Sequence, residues 1–302
     1  MKGVIMLDQK EFFKYVEKHI PEYMTDKEES KLMLKEITKN NQVILHGLAL
    51  KEERTCSPIL YLEPFFEEYH KGLDIGEILC RIGHIFEEQL KMDYIQLPME
   101  YYNDFEKAKE HIFFRVVNLE KNQELLEDCP IETIEDLAIT YRLMMTRDDE
   151  GMTSGLIRNR DLEQWGITKE ELFLLGRENT KRSFPGVIIS MNEMLLDSYG
   201  IEVESPSMLY VATNESKLNG ASVIAYDDFL YEFAQKEKEN LYVLPSSIHE
   251  VLLLKESDAI EQVELREMIQ ETNKNIVDAE EVLSDSLYYY DREDDTLSIC
   301  EF

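Results

Sequence analysis

Cationic charge is what this chain has too little of. Its 302 residues carry 32 Lys and Arg against 63 Asp and Glu, a net charge of −31 and a pI near 4.5. Such a surface repels phosphate backbones, which argues against nucleic-acid binding over a broad face. It repels anionic lipid headgroups for the same reason. Basic partners, or the basic grooves of nucleic-acid-binding proteins, are attracted instead. Cysteine is also scarce: Cys56, Cys80, Cys129 and Cys300 stand far apart and form no C-x-x-C pair. With 43% hydrophobic residues, the chain can build a core without disulfides, so reduced thiols in a cytoplasmic compartment are expected. No apolar run approaches the roughly 20 residues of a membrane span. The opening MKGVIMLDQKEFF turns charged too early for a secretory h-region. Neither G-x-x-x-x-G-K-[ST] nor G-x-G-x-x-G occurs, so no nucleotide loop is expected, and no cofactor.

What is present reads as an α+β chain. Asp8 and Glu11 make a capping box ahead of a helical pattern through Phe12, Val16 and Ile20. A second helix is predicted over 26–39, a strand over 43–50 and an exposed turn at 51–54. Another strand is predicted over 59–62. Helices are predicted from Glu63-Pro64 and from Asp74 to about Lys91. Strands follow at 112–118, 134–145 and 152–157, with a short helix at 120–127. Thr168 and Glu171 cap the next helix. Strands are predicted at 207–212, 221–226, 241–244 and 248–255, and helices at 227–238 and 259–272. A hairpin is predicted around Asp291–Asp295. The expected fold is α+β, with antiparallel or mixed sheets and packed helices. It is divided into an N-terminal half, 1–150, and a C-terminal half, 151–302, which could also form one domain. Ile59–Tyr69 and Val223–Phe233 look alike, so the halves are candidates for related strand–strand–helix units.

Four constellations could carry chemistry. In LPSSIHEVLLL, Leu244–Leu254, two serines and a histidine lie close together. Pro245, Ser246 and Ser247 suit a turn. A strand from Ile248 would put His249 and Glu250 on opposite faces. The local spacing makes no nucleophile–base pair, and no G-x-S-x-G elbow occurs. Ser246, Ser247 and His249 stay as hydrolase candidates only if the fold brings a further partner. Cys80, His84 and Glu88 form a polar stripe at i, i+4, i+8, centred about 180° from the apolar face of their helix. They could ligate zinc, but a second ligand pair is missing. Tyr288 and Tyr290 share a strand face and, with Asp291 and Glu250, are candidate binding residues. The alternating Asp291, Glu293 and Asp295 lack the glycine and distal glutamate of a calcium loop. The basic run Arg158–Arg160, Arg177, Lys181 and Arg182 could hold an anion, although internal pairing with carboxylates is expected there.

Taken together, DLEQWGITKEELFLLGRENT (161–180), LYVATNESKLNGASVIAY (209–226), LYVLPSSIHEVLLL (241–254) and AEEVLSDSLYYYDRE (279–293) resemble an uncharacterised bacterial family. It is a domain of unknown function common in gut anaerobes and their mobile elements. The resemblance implies a bacterial cytoplasmic protein and brings no catalytic residue. The expected function is therefore non-catalytic. It is that of an acidic binding protein acting through protein contacts, in its sharpest form an inhibitor or decoy that occupies a basic nucleic-acid groove. The alternative is a hydrolase-like enzyme built on Ser246, Ser247 and His249. A protein partner is expected, a membrane is not, and the sequence leaves the oligomeric state open.

Overall fold

The computed structural model describes residues 6–25, 32–51, 59–91, 102–147, 152–205 and 207–301. The chain divides into two compact units. One comprises Met1–Lys39 and Val43–Pro98, the other Asn40–Gln42 and Met99–Phe302. The pairing of Arg147 with Met152 runs straight across the expected boundary.

In the first unit, helix α1 (Gln9–His19) starts at the predicted box, where Asp8 and Glu11 exchange backbone-to-side-chain hydrogen bonds. Strands β1 (Leu32–Thr38), β2 (Ile44–Leu50) and β3 (Leu60–Tyr61) form an antiparallel sheet in that order. β1 corrects the helix predicted over 26–39. Leu32, Leu34 and Ile37 fit a helical period, but Leu32–Thr38 pairs residue by residue with Leu50–Ile44. Sheet pairing with the strand that follows has overridden local spacing. Residues 26–31 and the predicted turn at 52–54 lie outside the described residues. Helices α2 (Glu63–His70) and α3 (Ile75–Lys91) follow as predicted, and Ile78, Leu79, Ile82 and Phe86 of α3 are fully buried. They join Phe12, Val16, Leu48 and Leu62 in this unit's core.

The second unit holds two antiparallel sheets. In the four-stranded sheet, β6 (Leu137–Arg147) pairs along one edge with β4 (Ile112–Asn118). Along its other edge it pairs first with β5 (Ile131–Ile134) and then with β7 (Met152–Leu156). The strand expected at 134–145 is β6, which starts at Leu137; Ile134 ends β5, and Glu135, at φ +52°, lies in the turn between them. β4 is an edge strand, and side chains occupy its free edge. Thr180 Oγ1 accepts from Phe114 N at 2.9 Å, Ser222 Oγ accepts from Val116 N at 3.1 Å, and Asn179 Nδ2 donates to Ile112 O at 3.0 Å. An edge closed in this way offers no template for another strand.

Helix α4 (Asn159–Trp165) precedes α5 (Lys169–Ser183), which carries both Asn179 and Thr180 and is capped by Thr168 and Glu171 as predicted. Beyond it run β8 (Gly186–Ser190) and α6 (Met191–Tyr199), neither of which was predicted. Their sequence signal is the Ser190–Glu193 box and Gly200, which closes the helix at φ +67°. The six-stranded sheet has the order β13-β12-β10-β11-β9-β8. Its remaining strands are β9 (Leu209–Asn214), β10 (Leu241–Ser247), β11 (Glu250–Lys255), β12 (Tyr288–Asp291) and β13 (Thr296–Ile299). Helices α7 (Phe229–Glu237) and α8 (Gln262–Asn275) complete the unit.

The strand predicted over 221–226 is instead a buried 3-10 segment, Gly220–Ala225. Four of its six residues are Gly, Ala or Ser, and they coil into a space too tight for larger side chains. A Cβ on Gly220 would lie 2.0 Å from Thr213 Oγ1 and 2.3 Å from His249 O. With no strand at 223–226, the apparent repeat between Ile59–Tyr69 and Val223–Phe233 dissolves.

Candidate functional site

The stretch LPSSIHEVLLL forms the β10–β11 hairpin. Leu241 to Pro245 pair with Lys255 to Val251, the register shifts between Pro245 and Ser247, and Ser247 then pairs with Glu250. Ser246 and Ser247 therefore end a bulged strand, and the turn is Ile248-His249. This corrects both expectations, the serines in the turn and His249 on the strand. The bulge takes up one extra residue, which carries the turn past the serines.

Both ring nitrogens of His249 have a partner. The backbone N–H of Asn219 donates to Nδ1 at 3.2 Å, and Nε2 lies 3.3 Å from Glu281 Oε1. A backbone N–H can only donate, so Nδ1 is the bare nitrogen and Nε2 carries the hydrogen toward Glu281. The serines are engaged elsewhere. Ser247 Oγ accepts from His249 N at 3.0 Å, and Ser246 Oγ stands 3.5 Å from Glu250 Oε1. Among the described residues, neither hydroxyl hydrogen-bonds to the imidazole. The arrangement is a clamp: Thr213 Oγ1 donates to His249 O at 2.8 Å, and Ile248 N donates to Glu281 O at 2.8 Å. The hairpin tip thereby joins the 214–220 loop to the loop that precedes β12.

That loop, Asp278–Leu287, is held along its length. In the same unit, Asn40 and Asn41 donate to its carbonyls at Glu280, Ala279 and Val282. Asn118 Nδ2 donates to Leu283 O and Asn273 Nδ2 to Ser284 O. Asp136 takes three hydroxyls from this region: Ser284 at 2.6 Å, Ser286 at 3.0 Å, and Tyr288 on its other oxygen. Burial, and then the Asp136 charge, push the Tyr288 phenol well above its ordinary range.

Tyr288 and Tyr290 do share a face, but that face is the core, and both are buried. They cannot form the binding surface expected of them. Tyr290 donates to Asp295 at 2.5 Å, across its own hairpin. Asp291 Oδ1 accepts from Glu293 N and Asp294 N, so it shapes the turn. Glu250 is half-buried beside Ser246. On α3, Cys80 is exposed as predicted, and His84 pairs with Glu88 at 3.4 Å. No group of three or more His, Cys, Asp or Glu side chains able to hold a metal occurs among the described residues. Most of the basic run is internally paired. Arg177 bridges Glu132 at 3.0 Å and Asp227 at 3.2 Å, Lys181 meets Asp227 at 3.3 Å, and Arg182 meets Glu110 at 2.9 Å.

Two arginines that the sequence did not single out stand apart from this pattern. Ile112, Phe114 and Val116 of β4 and Ile139, Tyr141 and Leu143 of β6 face the core. The opposite face carries Arg115 and Arg142, diagonal neighbours in a register that pairs Arg115 with Thr140 and Phe113 with Arg142. Arg142 is oriented by Ser154, through Nε to Oγ at 2.8 Å and Nη2 to the carbonyl at 3.0 Å. Arg115 Nε is buried with no hydrogen-bond partner. Burial lowers Arg115 to about 10, partly offset by the charge of Glu280. Burial and the neighbouring Arg115 lower Arg142 to about 9.

The model of a family of unknown function, DUF5688, matches residues 9–292. The chain belongs to this family. The DUF5688 match runs from the first turn of α1 into the β12–β13 turn. It takes in the His249 clamp, the Asp136 cluster and both arginines. No curated protein and no solved structure matches the chain.

Proposed function

We propose that the protein is a non-catalytic binding protein that acts through contacts with a basic protein partner. The observation that carries this reading is the surface segment running from the end of α6 to the start of β9. Leu196, Ile201, Val203 and Met208 are 50%, 51%, 36% and 54% exposed, and Asp197, Glu202 and Glu204 are interleaved with them. Four large apolar side chains exposed within 13 residues of a chain bearing −31 make a surface suited to an apolar-studded basic segment. Apolar contact supplies affinity, and the carboxylates supply attraction and selectivity. In the sharper form of this reading, the carboxylates stand in for phosphates in a basic nucleic-acid groove. The engagement of both His249 nitrogens supports contact over hydrolysis. The test is fluorescence anisotropy with a labelled peptide of alternating Lys and Leu. Affinity should fall steeply with added salt and drop in two double variants, I201S with V203S and E202Q with E204Q. Salt-insensitive binding, or binding unchanged in both variants, overturns the reading.

A further inference from the structure

In a chain with about two acids for every base, most of the surface cations described above have a carboxylate within 4 Å, whereas Arg115 and Arg142 have no such partner among the described residues. Among the described residues, no carboxylate forms an ion pair with either guanidinium, and Arg115 makes no side-chain hydrogen bond. Two like charges are held side by side on one sheet face, each partly desolvated by its surroundings. The Glu280 charge reaches Arg115 without forming an ion pair, the two guanidiniums repel each other, and Arg115 Nε remains a buried donor without an acceptor. The setting is built rather than loose. Ser154 fixes the plane of Arg142, and Val117, Ala138, Leu126 and Cys129 form an apolar cluster on the same sheet face. Guanidinium forks match the geometry of tetrahedral oxyanions, and a pair of them matches a dianion in charge.

We propose that Arg115 and Arg142 bind a phosphate-class oxyanion on the face of the four-stranded sheet opposite its main core. The strong net negative charge repels anions at long range, so a local pair of fixed cations is what such a site requires here. The site is separate from the 196–208 surface, and its test does not depend on that reading. Inorganic phosphate is titrated calorimetrically into the full chain, with ionic strength held constant by sodium chloride. Saturable one-to-one binding is expected, weakened about tenfold or more in Arg115→Gln and in Arg142→Gln. Arg182→Gln, which removes a surface guanidinium already paired with Glu110, should leave binding unchanged. If the sheet-face variants do not fold, the wild type decides: phosphate should raise its melting temperature more than acetate at equal ionic strength. Phenyl phosphate in place of phosphate separates a phosphomonoester ligand from the free ion. Absence of both heat and stabilisation in the wild type overturns the proposal, as does an acetate response equal to that of phosphate. Unaltered binding in both folded variants overturns it too.

Discussion

His249 closes the β10–β11 hairpin, and its loss should register as stability and not as activity. His249→Ala removes the acceptor of Asn219 N–H and the donor to Glu281, a cost of about 1–3 kcal/mol. Thermal unfolding checks this, and a loss within the range of ordinary surface substitutions would contradict it. On ester, peptide and phosphoester substrates the wild type should show no turnover that His249→Ala abolishes. The sequence showed that Ser247 and His249 make no local dyad. It could not show which groups take the ring, because Asn219 and Glu281 are 30 and 32 positions away and only the fold brings them near. Arg115 and Arg142 were hidden for a related reason. Each looks like an ordinary charge in an alternating strand until the register sets both on one face.

Among the elements, α5 depends on a glycine against the four-stranded sheet. A Cβ at Gly176 would lie 2.4 Å from Cε1 of Tyr141, a ring that is fully buried and stacked on Phe173. Gly176→Ala gains helix propensity but overpacks this contact, and should destabilise by about 1–3 kcal/mol. Gly155→Ala, with nothing within 4 Å, is the matched control and should be near neutral in chemical denaturation. Equal effects at the two sites would contradict the packing account. Elements announced by caps were legible: the boxes at Asp8 and Thr168 start helices where expected. Elements decided by tertiary partners were not. Leu32–Thr38 has helical spacing and became a strand because β2 pairs with it, and the strand expected at 221–226 is a 3-10 segment that starts at Gly220, where a Cβ would meet Thr213 and His249.

At the largest scale the chain is strongly acidic, and the core of its second unit is rich in hydrogen-bonded tyrosines. Burial pushes Tyr141, Tyr226, Tyr288 and Tyr290 well above the ordinary phenol range, and Tyr289 to about 12. The unfolded chain releases these protons near 10, so above that pH the folded state holds more protons than the unfolded. Their contribution to stability is fully present below about pH 10 and is lost as pH rises through the folded values. Absorbance at 295 nm should show one early, reversible class of tyrosines and a second that ionises only on alkaline unfolding. A single reversible class near the ordinary phenol value would contradict this.

The same excess of carboxylates makes solubility a simple expectation, and it makes binding a testable one. The most direct test of the central claim is the salt dependence of Lys–Leu peptide binding, measured with the 196–208 variants in parallel. The account predicts affinity that falls steeply between about 50 and 200 mM salt as the Debye length shortens. It also predicts weakening when either the apolar pair Ile201 and Val203 or the acidic pair Glu202 and Glu204 is replaced. Binding that ignores both salt and these substitutions would contradict it.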